Sequence, residues 1–232
     1  MKLNASYVGE RRDIQRLVPK TASRILDIGC SNGALGAELK KSHRATVHGI
    51  EFSPEMAAMA AESLDQVHVG DATAIVAGDT LDGETYDAII CADLLEHLID
   101  PWTTLRDARQ YLAPGGIVIT SIPNIRHIST ISNLVFRGLW PHRDRGIHDR
   151  THVRFFTRRS VTELFADADL TIESLRANYR FFDKPTKVNR LARLGSVPGL
   201  REFLAYQYLV VARDHALDQP MPAIDEVPRA AA

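Results

Sequence analysis

Cysteine is scarce in this chain, which has two cysteines, Cys30 and Cys91, among 232 residues. Two cysteines do not make the disulfide framework of a small secreted protein, and each stands beside an apolar segment where a small buried side chain is ordinary. The N-terminus lacks a basic region followed by an apolar run, and no apolar segment approaches the ~20 residues that span a bilayer. We therefore expect a cytoplasmic protein with no membrane insertion.

An excess of either charge is also missing. Lysine and arginine together number 28, and aspartate and glutamate 29, so the charge of the whole chain does not favour nucleic acid or an anionic membrane as a partner. Any such binding has to be local. With 45% hydrophobic residues, the chain is long enough for the core of one large domain, expected over residues 1–213. We expect a disordered tail over residues 214–232 and leave a homo-oligomer open.

Short apolar segments alternate with segments of helical spacing along most of the chain. Strands alternating with helices predict an α/β fold with a parallel sheet and right-handed crossovers. The predicted strands cover residues 25–28, 45–51, 67–69, 86–91, 117–122, 170–175 and 205–212. The predicted helices cover residues 6–18, 34–41, 54–64, 93–98, 101–112, 157–167 and 187–194.

The first predicted strand runs into the turn Gly29-Cys30-Ser31-Asn32-Gly33. Glycine lets the backbone turn tightly and approach a ligand with no side chain in the way. Three other residues separate the two glycines, so the pattern is not the three-glycine dinucleotide fingerprint and disfavours a pyrophosphate. Glu51 follows the second strand, about 20 residues further on, where this architecture places a carboxylate on ribose hydroxyls. These features favour an adenosine that carries no pyrophosphate, and the alternative is a turn with no ligand.

The turn and Glu51 resemble the S-adenosylmethionine site of the class I methyltransferases. Gly70-Asp71-Ala72 is similar to the acidic adenine-binding turn of that family, and Ala92-Asp93-Leu94-Leu95-Glu96-His97 to its fourth motif. The resemblance implies a Rossmann-like sheet of seven strands, mostly parallel with an antiparallel last strand, with helices on both faces. It places Asp27 near the methionine amino group, Glu51 on the ribose and Asp71 near the adenine amino group. The cofactor-binding residues that it implies are Asp27, Gly29, Cys30, Gly33, Glu51, Phe52, Asp71, Ala72, Asp93 and Leu94.

Asp93, Glu96 and His97 are spaced so that a helical turn would bring their side chains together. The spacing is similar to the Glu-x-x-Glu-His of the ubiquinone-biosynthesis O-methyltransferases, where those positions are linked to a divalent cation. Asp93 stands in place of the first glutamate and shortens that ligand. A divalent cation therefore stays open but is not favoured, because two carboxylates and a histidine need further ligands to form a rigid site. In the alternative, Glu96 orients its neighbours and His97 packs under the acceptor pocket.

The alternation of strands and helices breaks after the fifth strand, over residues 124–156. We interpret this insert as a lid on the acceptor side of the site. His148-Asp149-Arg150-Thr151-His152-Val153-Arg154-Phe155-Phe156 resembles a segment of methyltransferases associated with surface-polysaccharide pathways. An imidazole with its usual pKa near 6.5 can take a hydroxyl proton at neutral pH. The candidate bases are His97, His148 and His152, and the alternative is that His152 and Asp149 only brace the lid.

Arginine is concentrated in the same insert. Guanidinium pairs bidentately with phosphate, so these side chains favour an anionic acceptor such as a phosphorylated or nucleotide-linked sugar. The competing interpretation is a solvated basic surface. The candidate acceptor-binding residues are Arg143, Arg150 and Arg154.

A methyl sulfonium is already activated, so the protein has mainly to align acceptor and methyl group and remove a proton. The sequence thus predicts an S-adenosylmethionine-dependent enzyme that methylates an oxygen of a small-molecule or carbohydrate-linked acceptor. Two alternatives stay open. One is a non-catalytic partner protein that keeps the cofactor fold. The other is an RNA methyltransferase, which the balanced charge disfavours.

Overall fold

Seven strands form one sheet in the computed structural model, which describes residues 10–181, 189 and 201–217. The strands are β1 (Arg24–Ile28), β2 (Thr46–Glu51), β3 (Gln66–Val69), β4 (Tyr86–Ala92), β5 (Leu112–Pro123), β6 (Thr171–Tyr179) and β7 (Ala205–Arg213). Their order across the sheet is β3-β2-β1-β4-β5-β7-β6. Strands β1 to β5 pair in parallel, and β7 lies antiparallel between β5 and β6. The predicted fold class is confirmed.

Helices connect these strands within the described residues. They are α1 (Arg12–Gln15), α2 (Ala34–His43), α3 (Pro54–Ala61), α4 (Ala72–Ala77), α5 (Pro101–Arg109), α6 (Ile128–Arg137), α7 (Arg158–Asp167) and α8 (Arg201–Leu204). Single 3-10 turns cover Asp79–Leu81 and Leu95–His97. None of the helices in the described ranges has the length and apolar character needed to cross a bilayer.

Local sequence signals fix where several helices begin. The hydroxyl of Ser53 accepts a hydrogen bond from the Met56 N–H, and proline occupies the first position of α3. Thr157 and Ser160 form a reciprocal capping box at the start of α7. Both starts agree with the sequence prediction.

The core lies in two layers, one on each face of the sheet. On one face, residues of α4, α5 and α7 pack against buried side chains of the central strands, with Phe165 and Ile89 fully buried. On the other face, α1, α2 and α3 cover a second cluster that includes Ile14 and Leu39. Strands β1 and β4 therefore lie between two apolar layers, which is why they read as nearly continuous apolar runs.

Some elements differ from the prediction. Helix α4 replaces an expected irregular connection, and α6 occupies part of the insert where we expected no helix. Helix α5 ends at Arg109 because Leu112 already belongs to β5. Of the predicted helix over 6–18, only Arg12–Gln15 is helical within the described part. The predicted helix over 187–194, apart from residue 189, and the tail from residue 218 lie outside the described residues.

The insert over 124–156 leaves and rejoins the sheet at one point. Asn124 and Phe156 form an isolated bridge, and the Ile125 N–H donates to the Phe156 carbonyl at 2.9 Å. The buried Asn124 amide donates to the carbonyls of Glu202 and Ala205, which ties the base of the insert to the start of β7. We call residues 124–156 the lid.

Candidate functional site

The turn after β1 lies at the carboxyl end of the sheet. Gly29 and Gly33 both have φ of 78°, and Ser31 has φ of 53°, so the chain reverses through left-handed conformations that favour glycine. A Cβ on Gly33 would stand 2.9 Å from the Cα of Ala60 in α3. The N–H groups of Gly29 and Cys30 donate to the Ile50 carbonyl at 2.8 and 3.0 Å. The turn is thus held against the end of β2 and leaves room for a ligand only on its other side.

Asp27 is the last carboxylate before this turn, and it is 2% exposed. Burial raises its pKa to about 7, and the neighbouring charge of Glu51 adds to the rise, whereas Arg11 lowers it. A buried carboxyl poised near neutral pH is ready to become charged when a cation arrives. The ammonium of a bound amino acid would be such a cation.

Both carboxylate oxygens of Glu51 are fixed by the backbone. Oε2 accepts from the Ser31 N–H at 2.8 Å and Oε1 from the Ser53 N–H at 2.9 Å. Each oxygen keeps further lone pairs for hydroxyl donors. The side chain is therefore held in one orientation between the glycine turn and the start of α3.

The adenine side predicted from the sequence lies around the start of α4. Asp71 Oδ1 caps this helix by accepting from the N–H groups of Thr73 and Ala74, and Ala72 is the first helical residue. Phe52 is 75% exposed beyond the end of β2. Its ring is available to cover a planar ligand.

Leu94 closes the glycine turn from the β4 side. Its Cδ1 would stand 3.1 Å from a Cβ placed on Gly29. Its neighbour Leu95 is fully buried in the core. Of the two adjacent leucines, Leu94 is therefore the one near the turn.

Three side chains hold the carboxylate of Asp93 at the end of β4. Arg11 Nη1 lies 2.6 Å from Oδ2, the Ser121 hydroxyl donates to Oδ1 at 2.9 Å, and the Gln207 amide also donates to Oδ1. The φ of Asp93 is 53°, so the chain does not enter a helix at this residue. The 3-10 turn covers only Leu95–His97. The predicted helical turn over 93–98 is wrong in its extent for that reason.

Arg11 was missed by the sequence reasoning. It precedes α1 with φ of 45° and donates to Asp13 and Ser121 in addition to Asp93. Burial lowers its pKa, but the charges of Asp93 and Asp13 outweigh this and keep the guanidinium protonated. A single arginine among several near the N-terminus has no local pattern that would reveal such contacts.

A second cluster lies beside this network and joins Glu96, His97 and His152. One ligand atom from each of the three falls within 4.8 Å of the others. His152 belongs to the lid, and its ring centroid is 4.7 Å from that of His97. The structure thus groups Glu96 and His97 with His152, while Asp93 is engaged by Arg11 and Gln207. The predicted ligand set of Asp93, Glu96 and His97 is therefore not the group that the structure brings together.

A hydrogen bond assigns the tautomer of His152. Its Nδ1 lies 3.2 Å from the Ile147 carbonyl, which can only accept, so in the neutral ring Nδ1 carries the proton and Nε2 holds a lone pair. His97 Nδ1 lies 3.1 Å from the Thr151 hydroxyl oxygen, and that hydroxyl is 2.6 Å from Asp149 Oδ1. The ring of His97 is thus tied to the lid through Thr151.

Glu96 is the buried acid of this cluster. Its side chain is 1% exposed, and neither oxygen has a hydrogen-bond partner among the described residues. Burial, together with the charge of Asp93, raises its pKa well above the usual value. Burial lowers the pKa of His97 and of His152. Oε1 of Glu96 is 3.9 Å from Nε2 of His152, too far for a hydrogen bond but a separation that one cation could bridge.

His148 occupies a different place from the other two candidate bases. It is buried, its Nε2 lies 3.0 Å from the Thr130 hydroxyl of α6, and its ring packs edge-on against Trp140. These contacts join α6 to the rest of the lid. These contacts give His148 a structural place within the lid.

The candidate acceptor-binding arginines each contact other parts of the protein. Arg154 donates to the Ile99 carbonyl and lies 5.4 Å from the centroid of the Trp102 ring. Arg150 is exposed and pairs with Asp144 at 2.6 Å. Arg143 pairs through its backbone with the lid segment around residues 148–150. The structure brings them into one lid without gathering them around one point.

Comparison with known families gives a match over most of the chain. A family model described as a methyltransferase domain matches residues 7–175. The ubiquinone biosynthesis O-methyltransferase of Cereibacter sphaeroides is 28% identical over 165 residues, which cover 68% of this chain and 64% of that protein. The chain thus spans somewhat less than two thirds of the length of this relative.

Solved structures agree on the fold. A structure from Haloferax volcanii that pairs the Trm112 methyltransferase activator with a methyltransferase has a TM-score of 0.63 at 16% identity, covering 90% of this chain and 91% of that one. An S-adenosylmethionine-dependent methyltransferase from Archaeoglobus fulgidus has a TM-score of 0.61 at 16% identity, covering 86% of this chain and 90% of that one.

Proposed function

This chain belongs to the class I family of S-adenosylmethionine-dependent methyltransferases, and on that premise we propose that it methylates an oxygen of a small-molecule or carbohydrate-linked acceptor. The cofactor is S-adenosylmethionine. The observation that carries the choice of oxygen is the pair His97 and His152, two imidazoles grouped beside the buried acid Glu96. A hydroxyl needs a base in order to attack, whereas a free amine does not.

The cofactor residues have separate tasks in this proposal. Asp27 ionises when the methionine ammonium binds and pairs with it, and Glu51 accepts hydrogen bonds from the two ribose hydroxyls. Phe52 and Leu94 cover the adenine, and Asp71 receives its amino group through the oxygen that does not cap α4. Gly29 and Gly33 leave the space that the adenosyl group fills. Cys30, within the turn, has a buried thiol that adds apolar contact.

Methyl transfer proceeds in one displacement. The acceptor oxygen attacks the methyl carbon, the bond from sulfur to that carbon breaks, and the hydroxyl proton passes to an imidazole nitrogen. The electron pair of the broken bond stays on sulfur, which becomes the neutral thioether of S-adenosylhomocysteine. We assign the base to His97 or His152, which lie together beside Glu96, because Nε2 of His148 is already engaged by the Thr130 hydroxyl.

The acceptor is proposed to be a sugar bearing a phosphate or a nucleotide. What supports this is the arginine content of the lid and the resemblance of residues 148–156 to methyltransferases of surface-polysaccharide pathways. Arg143, Arg150 and Arg154 are the candidates for the anionic group, and each would have to exchange or share its present contacts to bind it; those of Arg150 and Arg154 are with Asp144, Ile99 and Trp102. A role in polysaccharide biosynthesis and the cytoplasmic location stay predictions.

Calorimetry tests the cofactor assignments. We expect S-adenosylhomocysteine to bind the wild-type chain, and Asp27→Ala or Glu51→Ala to weaken the binding by at least tenfold, since each removes a charge-assisted contact. Absence of binding to the wild type would contradict the proposal. Binding without turnover of any acceptor in a broad hydroxyl panel would instead favour the non-catalytic alternative, and methylation of bulk RNA the RNA methyltransferase.

Turnover of the histidine variants tests the base. We expect His97→Ala or His152→Ala to lower kcat by about 10²-fold or more with little change in cofactor affinity. His148→Ala is the matched control within the same lid, and its effect should appear in stability rather than in the pH profile of kcat. Unchanged kcat in both of the first variants would remove the base from this cluster.

A divalent cation is the second use that the same cluster supports. The side chain of Glu96 has no hydrogen-bond partner within the described residues, and a carboxylate with two imidazoles is a donor set suited to a metal such as zinc. Glu96, His97 and His152 would hold the ion, and the ion would lower the pKa of an acceptor hydroxyl. Metal analysis of the purified protein separates the two uses, with Glu96→Gln as the variant that should lose a bound ion.

A further inference from the structure

The end of α6 exposes a run of large apolar side chains. Leu134, Val135, Phe136 and Leu139 all lie on the surface, and Val135 and Phe136 are 68% and 80% exposed. Isolated apolar residues on a surface are ordinary, but a contiguous group marks an interaction site. Within the described residues, no element packs over the side chains of Val135 and Phe136.

A second apolar strip of the lid lies next to this helix end. The Phe155 ring packs edge-on against Trp140, with ring centroids 5.1 Å apart, and Trp140 directly follows Leu139. Val153 and Phe155 are both exposed, with the half-buried Arg154 between them. We call the exposed residues Leu134, Val135, Phe136, Leu139, Val153 and Phe155 the lid patch.

The insert that carries the lid patch also carries several exposed basic side chains. Arg126, Arg137, Arg145 and Arg150 are exposed in the same insert. Of the two acids in the lid, Asp144 pairs with Arg150, and Asp149 is buried and bonded to Thr151. The lid is thus locally cationic although the whole chain has a net charge of −1.

An apolar patch on a cationic lid selects among partners. A second copy of this chain would bring one cationic lid against another, which like-charge repulsion opposes. Nucleic acid would meet the arginines and could stack on Phe136 and Phe155, but it would leave the aliphatic side chains of the patch without an apolar partner. An anionic lipid surface satisfies both parts, since its headgroups attract arginine and its acyl boundary accepts apolar side chains.

We propose that the lid patch docks on an anionic membrane surface, with Val135 and Phe136 entering the boundary between headgroups and acyl chains. Helix α6 would lie in the plane of that surface rather than cross it. Phe155 also lines the crevice that contains Glu96, Ile125 and His152. Docking therefore brings that crevice to the lipid surface.

Co-sedimentation of the full chain with vesicles tests the proposal. One set of vesicles contains phosphatidylcholine alone, and the other contains phosphatidylcholine with phosphatidylglycerol. We expect sedimentation with the anionic set, weakened by salt, and little with the neutral set. The double variant Val135→Ser/Phe136→Ser should weaken binding by about tenfold or more, whereas Met59→Ser, an exposed apolar residue on α3, should leave it unchanged.

Charge reversal gives a second, matched comparison. Arg145→Glu should weaken binding to anionic vesicles by about tenfold, and Lys41→Glu on α2, with the same change in net charge, should not. Binding that is absent in the wild type, or equally lost in the control variants, overturns the proposal. A dimer or an RNA complex that needs Val135 and Phe136, without vesicle binding, overturns it too and assigns the patch to that partner. None of these measurements depends on methyl transfer, so they stand or fall separately from the proposed reaction.

Discussion

The guanidinium of Arg11 and the carboxylate of Asp93 meet at 2.6 Å across 82 positions of sequence. Ser121 and Gln207 donate to the same carboxylate, so the contact joins the segment before α1 to β4, β5 and β7. All of these groups lie at the carboxyl end of the sheet, where ligands bind in open α/β folds. The N-terminal segment is therefore fastened to the edge of the site by a charge pair.

Replacing Arg11 tests how much this pair stabilises the fold. Arg11→Met leaves a half-buried Asp93 with two neutral donors, and we expect the free energy of unfolding to fall by about 1–2 kcal/mol, less than for a fully buried pair because both groups are partly exposed. Arg12→Met removes an adjacent, exposed arginine that pairs with Glu10. Chemical denaturation of both variants measures the free energy of unfolding, and the change for Arg12→Met should stay within about 0.5 kcal/mol. Equal losses in the two variants would contradict a special role for Arg11.

The raised pKa of Asp27 predicts how the stability of the protein changes with pH. Its folded pKa of about 7 lies above the usual value of 3.8, so the folded chain holds the proton more strongly than the unfolded chain. Its contribution to stability is full below pH ~4 and is lost as the pH rises to about 7. Asp27→Asn does not titrate, so its free energy of unfolding relative to wild type should rise by about 4 kcal/mol over that range. Parallel pH profiles for the two proteins would show that Asp27 is not perturbed.

The same titration couples to the cofactor. An ammonium pairs with ionised Asp27, so the affinity for S-adenosylhomocysteine should increase as the pH rises through about 7 and then level off. Calorimetry at a series of pH values measures this slope. In Asp27→Asn the slope should be absent and the affinity low throughout.

Gly33 separates backbone strain from steric clash. Gly33 and Gly83 share φ of 78°, but a Cβ on Gly33 would meet the Ala60 backbone at 2.9 Å, whereas nothing lies within 4 Å of one on Gly83. Gly83→Ala should cost about 1 kcal/mol, from the left-handed conformation alone. Gly33→Ala should cost about 2–4 kcal/mol and weaken cofactor binding, because α3 has to move. Thermal unfolding of the two variants gives the comparison.

We expect the buried Glu96 carboxyl to lower the free energy of unfolding at high pH while it supports turnover. Its pKa is raised by burial, so wild-type stability falls as the pH rises above the ordinary carboxyl range near 4.5, where the unfolded chain ionises and the folded chain does not. Glu96→Gln keeps the shape without the charge and should unfold with a higher free energy at pH 8 by about 1–2 kcal/mol, while turnover drops. Glu62→Gln, on an exposed site, should change neither. A less stable Glu96→Gln protein would indicate that a bound cation or proton donor compensates the carboxylate in solution.

Strands and helix starts were predictable because their signals are local. The apolar runs of β1 and β4 reflect burial on both faces, and Ser53-Pro54 and Thr157 cap helices through bonds within four residues. Helix α6 was not predicted, although His127 caps its start and Gly138 in a left-handed conformation ends it. Several of its apolar side chains face outward rather than toward a core.

The parts of the site that the sequence did not predict depend on long-range contacts. Arg11 was not among the predicted site residues, and His152 was predicted as a base but not as a neighbour of Glu96. Both contacts form through packing that no spacing rule encodes. The spacing of Asp93 with Glu96 and His97 misled, because the positive φ of Asp93 turns its side chain away from the helical path that the rule assumes.

The main chain of the buried acid Glu96 holds the last part of the lid in place. The N–H groups of Val153 and Arg154 both donate to the main-chain carbonyl of Glu96, at 2.9 and 3.0 Å. A movement of lid residues 153–154 therefore also moves Glu96, whose side chain lies beside the two imidazoles. Acceptor binding by the lid and proton transfer, as proposed, are consequently coupled through this residue. A chimera that takes its lid from a relative should need the relative's residues 94–97 as well, and acceptor changes acquired in the lid should appear together with compensating changes in that short turn.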